Sequence, residues 1–146
     1  MKLKKSELKE FLDSKVDLYN NPKFLDNDPI QIPHQFSKKE DIEISGFLTA
    51  TIAWGNRKSI INNAQKMMLL LDNAPYDFVI NHKSTDLGQL ESFVHRTFNG
   101  QDFIQFIKCL NHIYTHHGGL EQIFAKYAEK QSLQRSIHNF KSAFFE

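Results

Sequence analysis

Cysteine is almost absent from this chain of 146 residues, which has one, Cys109. An intrachain disulfide framework and a cysteine-based zinc site are therefore excluded. Glycine and proline are scarce, at six and four, and Pro22, Pro29 and Pro33 all lie between residues 22 and 36. The rest of the chain is largely free of helix breakers. Neither sign of charge prevails: 18 Lys and Arg face 17 Asp and Glu, a net charge of +1 with His neutral. A basic nucleic-acid arm and an acidic tail are both ruled out, so any site for a polyanion must be a local patch. No long hydrophobic run exists either. The most apolar stretch, from Ile42 to Trp54, is interrupted by Glu43, Ser45, Thr49 and Thr51 and falls short of the ~20 residues that span a bilayer. The basic start MKLKKSELKEF lacks the apolar segment of a secretion signal. A cytoplasmic protein without membrane contact is expected. What the chain does have, 40% hydrophobic residues including 13 Phe with 24% charged, is the composition of a soluble globular protein. Its length suits one domain.

The periodicities are helical throughout. From Ser6 to Tyr19, Leu8, Phe11, Leu12, Val16 and Tyr19 form one apolar stripe, ended by Asn20, Asn21 and Pro22. Residues 22–36 read as an irregular connection anchored by Phe24, Leu25, Ile30, Ile32 and Phe36. Ser37 and Glu40 have the spacing of a capping box, with Phe36 as a staple, so a helix is expected from Lys38 through Ile44, Phe47, Leu48 and Ile52 to Trp54. Gly55 suits the left-handed stop. Asn56 then caps a second helix carrying Ile60, Ile61, Ala64, Met67, Met68 and Leu71. Pro75 starts a short helix through Ile80, and Ser84 or Thr85 caps another through Leu87, Leu90, Phe93 and Val94. After the Asn99-Gly100 break, the strongest stripe runs from about Gln101 to His117, with Phe103, Phe106, Ile107, Leu110, Ile113 and Tyr114 on one face and Gly118-Gly119 as the stop. A helix from Leu120 to about Lys130 and a last one from Ser132 follow. The stripe Ile137, Phe140 and Phe144 is still running at Glu146, as a terminal helix docked on the core or as one whose partner lies further along. With no five-residue strand pattern and no internal repeat, the fold class is all-α, a multi-helix orthogonal bundle of about seven or eight helices.

Few residues point to chemistry. His112, His116 and His117 share the end of the long helix, but no Glu lies between them as in a metalloprotease, and a solvated helix end explains them; no metal and no cofactor are expected. Cys109 falls on the apolar helix as a buried thiol. The acidic pairs Asp13/Asp17 and Asp26/Asp28, and the group Glu40/Asp41/Glu43, read as surface or capping charge. The corner Trp54-Gly55-Asn56-Arg57-Lys58-Ser59 is the most informative segment. A glycine corner leading into a helix presents unpaired N–H groups, and Arg57, Lys58 and the Ser59 hydroxyl stand beside them, a combination that suits a phosphate. Two cations in a first turn oppose the helix dipole, so local stability does not account for them. A second basic pair, His95-Arg96, lies between Phe93 and Phe98; a helix-capping Arg and a ligand contact both fit it.

The runs AWGNRKSI, NAPYDFVINH and FVHRTFNG resemble the N-terminal half of a bacterial family known as domain of unknown function 2400, and the likeness extends over nearly the whole chain. Members of that family continue past residue 146, which implies a chain truncated at its C-terminus relative to them. The family is in turn distantly similar to the helix-hairpin-helix base-excision DNA glycosylases, in which two N-terminal helices flank a corner that inserts side chains into DNA. ATIAWGNRKSIINNAQKMM occupies the corresponding place, with Gly55 and Asn56 where those enzymes carry a Gln wedge. The glycosylase hairpin and its catalytic Asp have no counterpart here. The resemblance implies a DNA partner, contacted through Trp54, Gly55, Asn56, Arg57 and Lys58 with His95 and Arg96 as a second contact, and no base excision by these residues alone. A helical interaction or scaffold domain without a nucleic-acid role is the alternative, favoured by the neutral charge and the Phe-rich stripes.

Overall fold

The computed structural model describes residues 4–128 and 132–145. Among them are seven α-helices: α1 (Lys5–Tyr19), α2 (Lys39–Thr51), α3 (Arg57–Leu70), α4 (Pro75–Asn81), α5 (Gly100–His116), α6 (Leu120–Ala125) and α7 (Gln134–Phe145). A two-stranded antiparallel hairpin, β1 (Val94–His95) with β2 (Phe98–Asn99), precedes α5. The fold is an all-α bundle, as the periodicities predict.

Helix α5 lies at its centre. Phe103, Ile107, Leu110 and Ile113 recur at three- and four-residue spacing and are all fully buried, which is the spacing that places side chains on one helical face. Asn99 starts the helix by accepting the N–H groups of Gln101 and Asp102, while the Asp102 carboxylate accepts the Asn99 N–H in return. That reciprocal pairing satisfies donors that the first turn otherwise leaves unpaired. Around α5 pack α4, α6 and α7, and α2 packs on α3, α4 and α6. Ile44 and Leu48 from α2, Ile52 just after it, and Ala64, Met67 and Met68 from α3 complete the core. Gly100 is dictated by contact: a Cβ there would lie 2.3 Å from the carbonyl oxygen of Glu91. The start of α5 is therefore pressed against the backbone that leads into the hairpin.

The proline-rich connection folds as three short 3₁₀ turns, Pro22–Asn27, Pro29–Gln31 and Pro33–Gln35. Each begins with its proline, whose fixed φ is already helical and whose missing N–H would have had no partner. Ile32 anchors the segment in the core, whereas Phe24 and Ile30 stay exposed.

The structure departs from the sequence expectations at several points. The capping box at Ser37 does not form: Lys38 is the N-cap without a side-chain bond, and the helix starts at Lys39. Glu40 and Asp41 instead complement the dipole of its first turn, and Asp41 accepts the Tyr76 N–H at 2.8 Å, supporting the start of α4. Helix α2 ends at Thr51 rather than Trp54, because the chain turns back with the Trp54 N–H on the Ile52 carbonyl before Gly55. The helix expected through Phe93 and Val94 is a 3₁₀ turn over Asp86–Leu90 followed by the hairpin. Phe93 is buried, Val94 exposed and His95 buried, a period of two that three residues are too few to announce. Helix α6 ends at Ala125; residues 129 and 130 of its expected extension lie outside the described residues. The stripe on α7 does not lack a partner. Phe140 and Phe144 pack on Phe47 at 5.6 and 5.4 Å between ring centroids, with Phe106 and Phe124 beside them, although Ile137 is exposed. The converse holds at α1, which forms as the stripe predicts but buries no residue: Phe11, Leu12, Val16 and Tyr19 are each more than half exposed.

Two measurements test this packing. Phe144→Ala, which empties the centre of the aromatic cluster, is expected to cost about 3–5 kcal/mol in denaturant unfolding. The Tyr114 hydroxyl donates to Glu43 at 2.7 Å, and burial, reinforced by that carboxylate, pushes the phenol far above its ordinary value. The folded state thus keeps a proton that the unfolded chain releases above about pH 10, so stability is fully present below that pH and is lost as pH rises beyond it. Tyr114→Phe should cost about 1–2 kcal/mol at neutral pH and flatten the alkaline limb of a stability–pH curve.

Candidate functional site

Two basic segments that are about forty residues apart in sequence meet at one end of α3. Asn56 is the N-cap of α3, and its Oδ1 accepts the Ser59 N–H at 3.1 Å. Arg57 and Lys58 occupy the first two helical positions, exposed, with no acid in that turn. Among the described residues neither is ion-paired. The helix start therefore carries uncompensated positive charge on top of its own dipole.

The hairpin places Arg96 over this corner. Its guanidinium carbon lies 4.5 Å from the centroid of the Trp54 ring, a cation–π contact worth about 0.5–1 kcal/mol at an exposed site. Gly55, with φ +107, leaves the space the guanidinium fills: a Cβ there would stand 2.4 Å from an Arg96 nitrogen. Arg96 itself has φ +58. It is the first of the two residues linking β1 to β2, the position that a tight hairpin with positive φ gives to glycine. An arginine there costs about 1 kcal/mol of backbone strain, which local hairpin stability does not repay.

His95 is placed differently from its neighbour. It is 2% exposed, its Nδ1 accepts from the Asn63 side-chain amide at 2.9 Å, and its Nε2 faces the Trp54 carbonyl at 3.4 Å. The ring stands edge-on to Trp54 at 6.1 Å. His95 thus ties the hairpin to α3 and to the corner at once. Asn63, the partner that makes this possible, has no distinguishing signal in the sequence.

A cavity of about 510 Å3 adjoins the corner, running from Asp28 and Pro29 to Gly55 and Arg57. Its presence was not legible beforehand, because Asp28 comes from the proline-rich connection and Thr49 from the last turn of α2. The other chemical candidates stay apart from it. His112 and His116 stack at 4.5 Å, and His117 meets His112 with their Nε2 atoms 3.3 Å apart. Among the described residues no group of three or more His, Cys, Asp or Glu is placed to hold a metal. Cys109 is buried with the Gln105 amide 3.4 Å from its sulfur. No helix among the described residues is long and apolar enough to cross a membrane.

An all-helical protein with one arginine-bearing hairpin folded over a helix corner is the class these features define. Residues 28–146 match the model of the family described as Protein of unknown function (DUF2400), and the chain belongs to that family. No curated protein matches the chain, and no solved structure does. Helix α1 lies outside the matched residues.

Replacing Arg96 by Gly separates strain from contact. Arg96→Gly is expected to leave the thermal midpoint unchanged or raise it, since relief of the left-handed strain offsets the lost cation–π contact. A midpoint lowered by more than about 5 °C would instead make Arg96 a structural residue.

Proposed function

We propose that this protein binds nucleic acid, DNA in the first place, by clamping backbone phosphate between the start of α3 and the hairpin. Asn56, Arg57 and Lys58 supply the helix end and two cations, and Arg96 supplies a third from across Gly55. Trp54 is the platform that orients Arg96, and His95 is the buried strut that holds hairpin and corner together. One observation carries the reading: three cationic residues belong to one corner of the fold although each opposes a local preference, two against the helix dipole and one against hairpin geometry. Phosphate relieves the first conflict directly, because helix N-termini and arginines both favour it. The resemblance to the glycosylases supports the same choice of partner. Bound this way, the protein positions a strand without reading bases.

The exposed apolar face of α1 favours a second reading, a helical interaction domain. A gel-shift titration at two salt concentrations distinguishes them. Arg57→Glu/Lys58→Glu is expected to weaken binding at least tenfold and to reduce the salt dependence by about two phosphate contacts. Equal, weak binding by wild type and variant would remove the nucleic-acid reading and leave the interaction domain.

A further inference from the structure

We infer that α1 is a self-association surface, on which a second copy of the chain lays its own α1 antiparallel to the first. This gives the helix an occupant and does not depend on the phosphate reading of the corner. Every residue of α1 is exposed, and its end meets the body through Tyr19, edge-on to Phe24 with 6.5 Å between ring centroids. A helix of 15 residues without tertiary packing is marginal in water. Its formation therefore calls for a surface that covers the apolar face.

Residues four apart lie one above the other on a helix, so α1 divides into lengthwise rows. Leu8, Leu12 and Val16 make one apolar row, and Phe11 and Tyr19 flank it; these five are between 43% and 55% exposed. Lys15 lies between Phe11 and Tyr19 on that side, with its ammonium 5.2 Å from the Phe11 ring. Its stem can cover apolar surface while the charge stays in water. Phe24 and Ile30, both exposed, extend the apolar surface beyond the helix across a groove that they share with Leu12 and Val16.

The row on the other side of Leu8, Leu12 and Val16 decides the occupant. It reads Lys5, Lys9, Asp13, Asp17, two cations and then two anions. Lys9 and Asp13 pair within the helix at 2.5 Å, but among the described residues Lys5 and Asp17 make no ion pair. Each also stands at the wrong end for the helix dipole, a cation at the start and an anion at the finish. Reversing this row produces its own complement. A second α1 running antiparallel, centred near Phe11, brings its Asp17 to Lys5 and its Asp13 to Lys9, sets the two dipoles in opposition and lays apolar row against apolar row. A parallel copy would face cation with cation and anion with anion. The apolar rows thus supply the association and the charged row its direction. Because the same patch serves both copies, the assembly closes as a dimer.

A helix of this length is about 22 Å long, so one face of it supplies less than the ~800 Å2 a side of a standard interface. A concentration-dependent dimer is expected. Sedimentation equilibrium on the full chain, from about 1 to about 300 µM, should show the mass rise from 17.1 kDa toward twice that value. Leu12→Lys buries an ammonium in the apolar rows and should weaken the dimer at least about tenfold, while the thermal midpoint of the dilute monomer stays unchanged because α1 buries no residue. Lys5→Glu/Lys9→Glu and Asp13→Lys/Asp17→Lys each leave a row of one sign. Either variant alone should stay monomeric, and an equimolar mixture should form a heterodimer that added salt weakens. Recovery in the mixture shows that neither variant has merely lost the helix. A wild-type chain that is monomeric at every concentration overturns the proposal, and binding of that monomer to vesicles of anionic lipid would make a membrane the occupant instead. A dimer that survives Leu12→Lys uses another surface and overturns it too. So does either charge-reversed variant dimerising alone as the wild type does, or a mixture that fails to recover. None of these variants touches Arg57, Lys58 or Arg96, so failure here leaves the phosphate corner standing.

Discussion

Burial of one face of α5 is the constraint on which the rest depends. Phe103, Ile107, Leu110 and Ile113 have no solvent exposure, and the neighbouring helices are arranged to cover them. The hairpin is fixed from the same helix. Phe93 sits 5.3 Å from Phe103 and Phe98 sits 5.2 Å from Phe106 between ring centroids, while Gly100 lets the helix start abut Glu91. His95 then reaches Asn63 and the Trp54 carbonyl. A core packed for stability thus holds Arg96 over the corner, and neither the hairpin nor the corner could do so alone, since an isolated two-residue ladder is marginal in water.

Elsewhere the local preferences agree with the fold. Asn99 caps α5, prolines open their turns, and acids sit in the first turn of α2. Three conflicts lie about the corner: cations at the start of α3, an arginine in a left-handed turn, and a buried hydroxyl without a partner. Sequences that fold well are consistent across levels, and the exceptions tend to mark sites. The clustering of these three exceptions around Gly55 and the adjoining cavity therefore has more weight than any one of them.

The helices were legible because their apolar residues recur at the helical period and their ends carry Asn, Gly or Pro. The corner was legible for the same local reason. Periodicity does not say what covers a face, however. The stripes of α1 and α7 look alike in sequence, yet Phe140 and Phe144 enter an aromatic cluster while Phe11 and Val16 remain exposed. Nor does a short apolar signal separate a helix from a 3₁₀ turn and a hairpin, so the spacing of Leu87, Leu90, Phe93 and Val94 predicts a helix that does not form: the burial of Leu90, Phe93 and His95 that decides it comes from α5 and α3, not from neighbours in the chain.

By itself the sequence determined the all-α class, the positions of the long helices, and the two basic segments, because each is set by spacing and chain chemistry within a few turns. The tertiary structure alone decided that the two segments form one site. The meeting of Arg96 with Trp54 depends on buried His95 and Asn63 and on the absence of a Cβ at Gly55, contacts between residues thirty or more positions apart. The cavity joining Asp28, Thr49 and Arg57 is likewise a product of packing: three elements must be brought side by side before there is any space between them to fill.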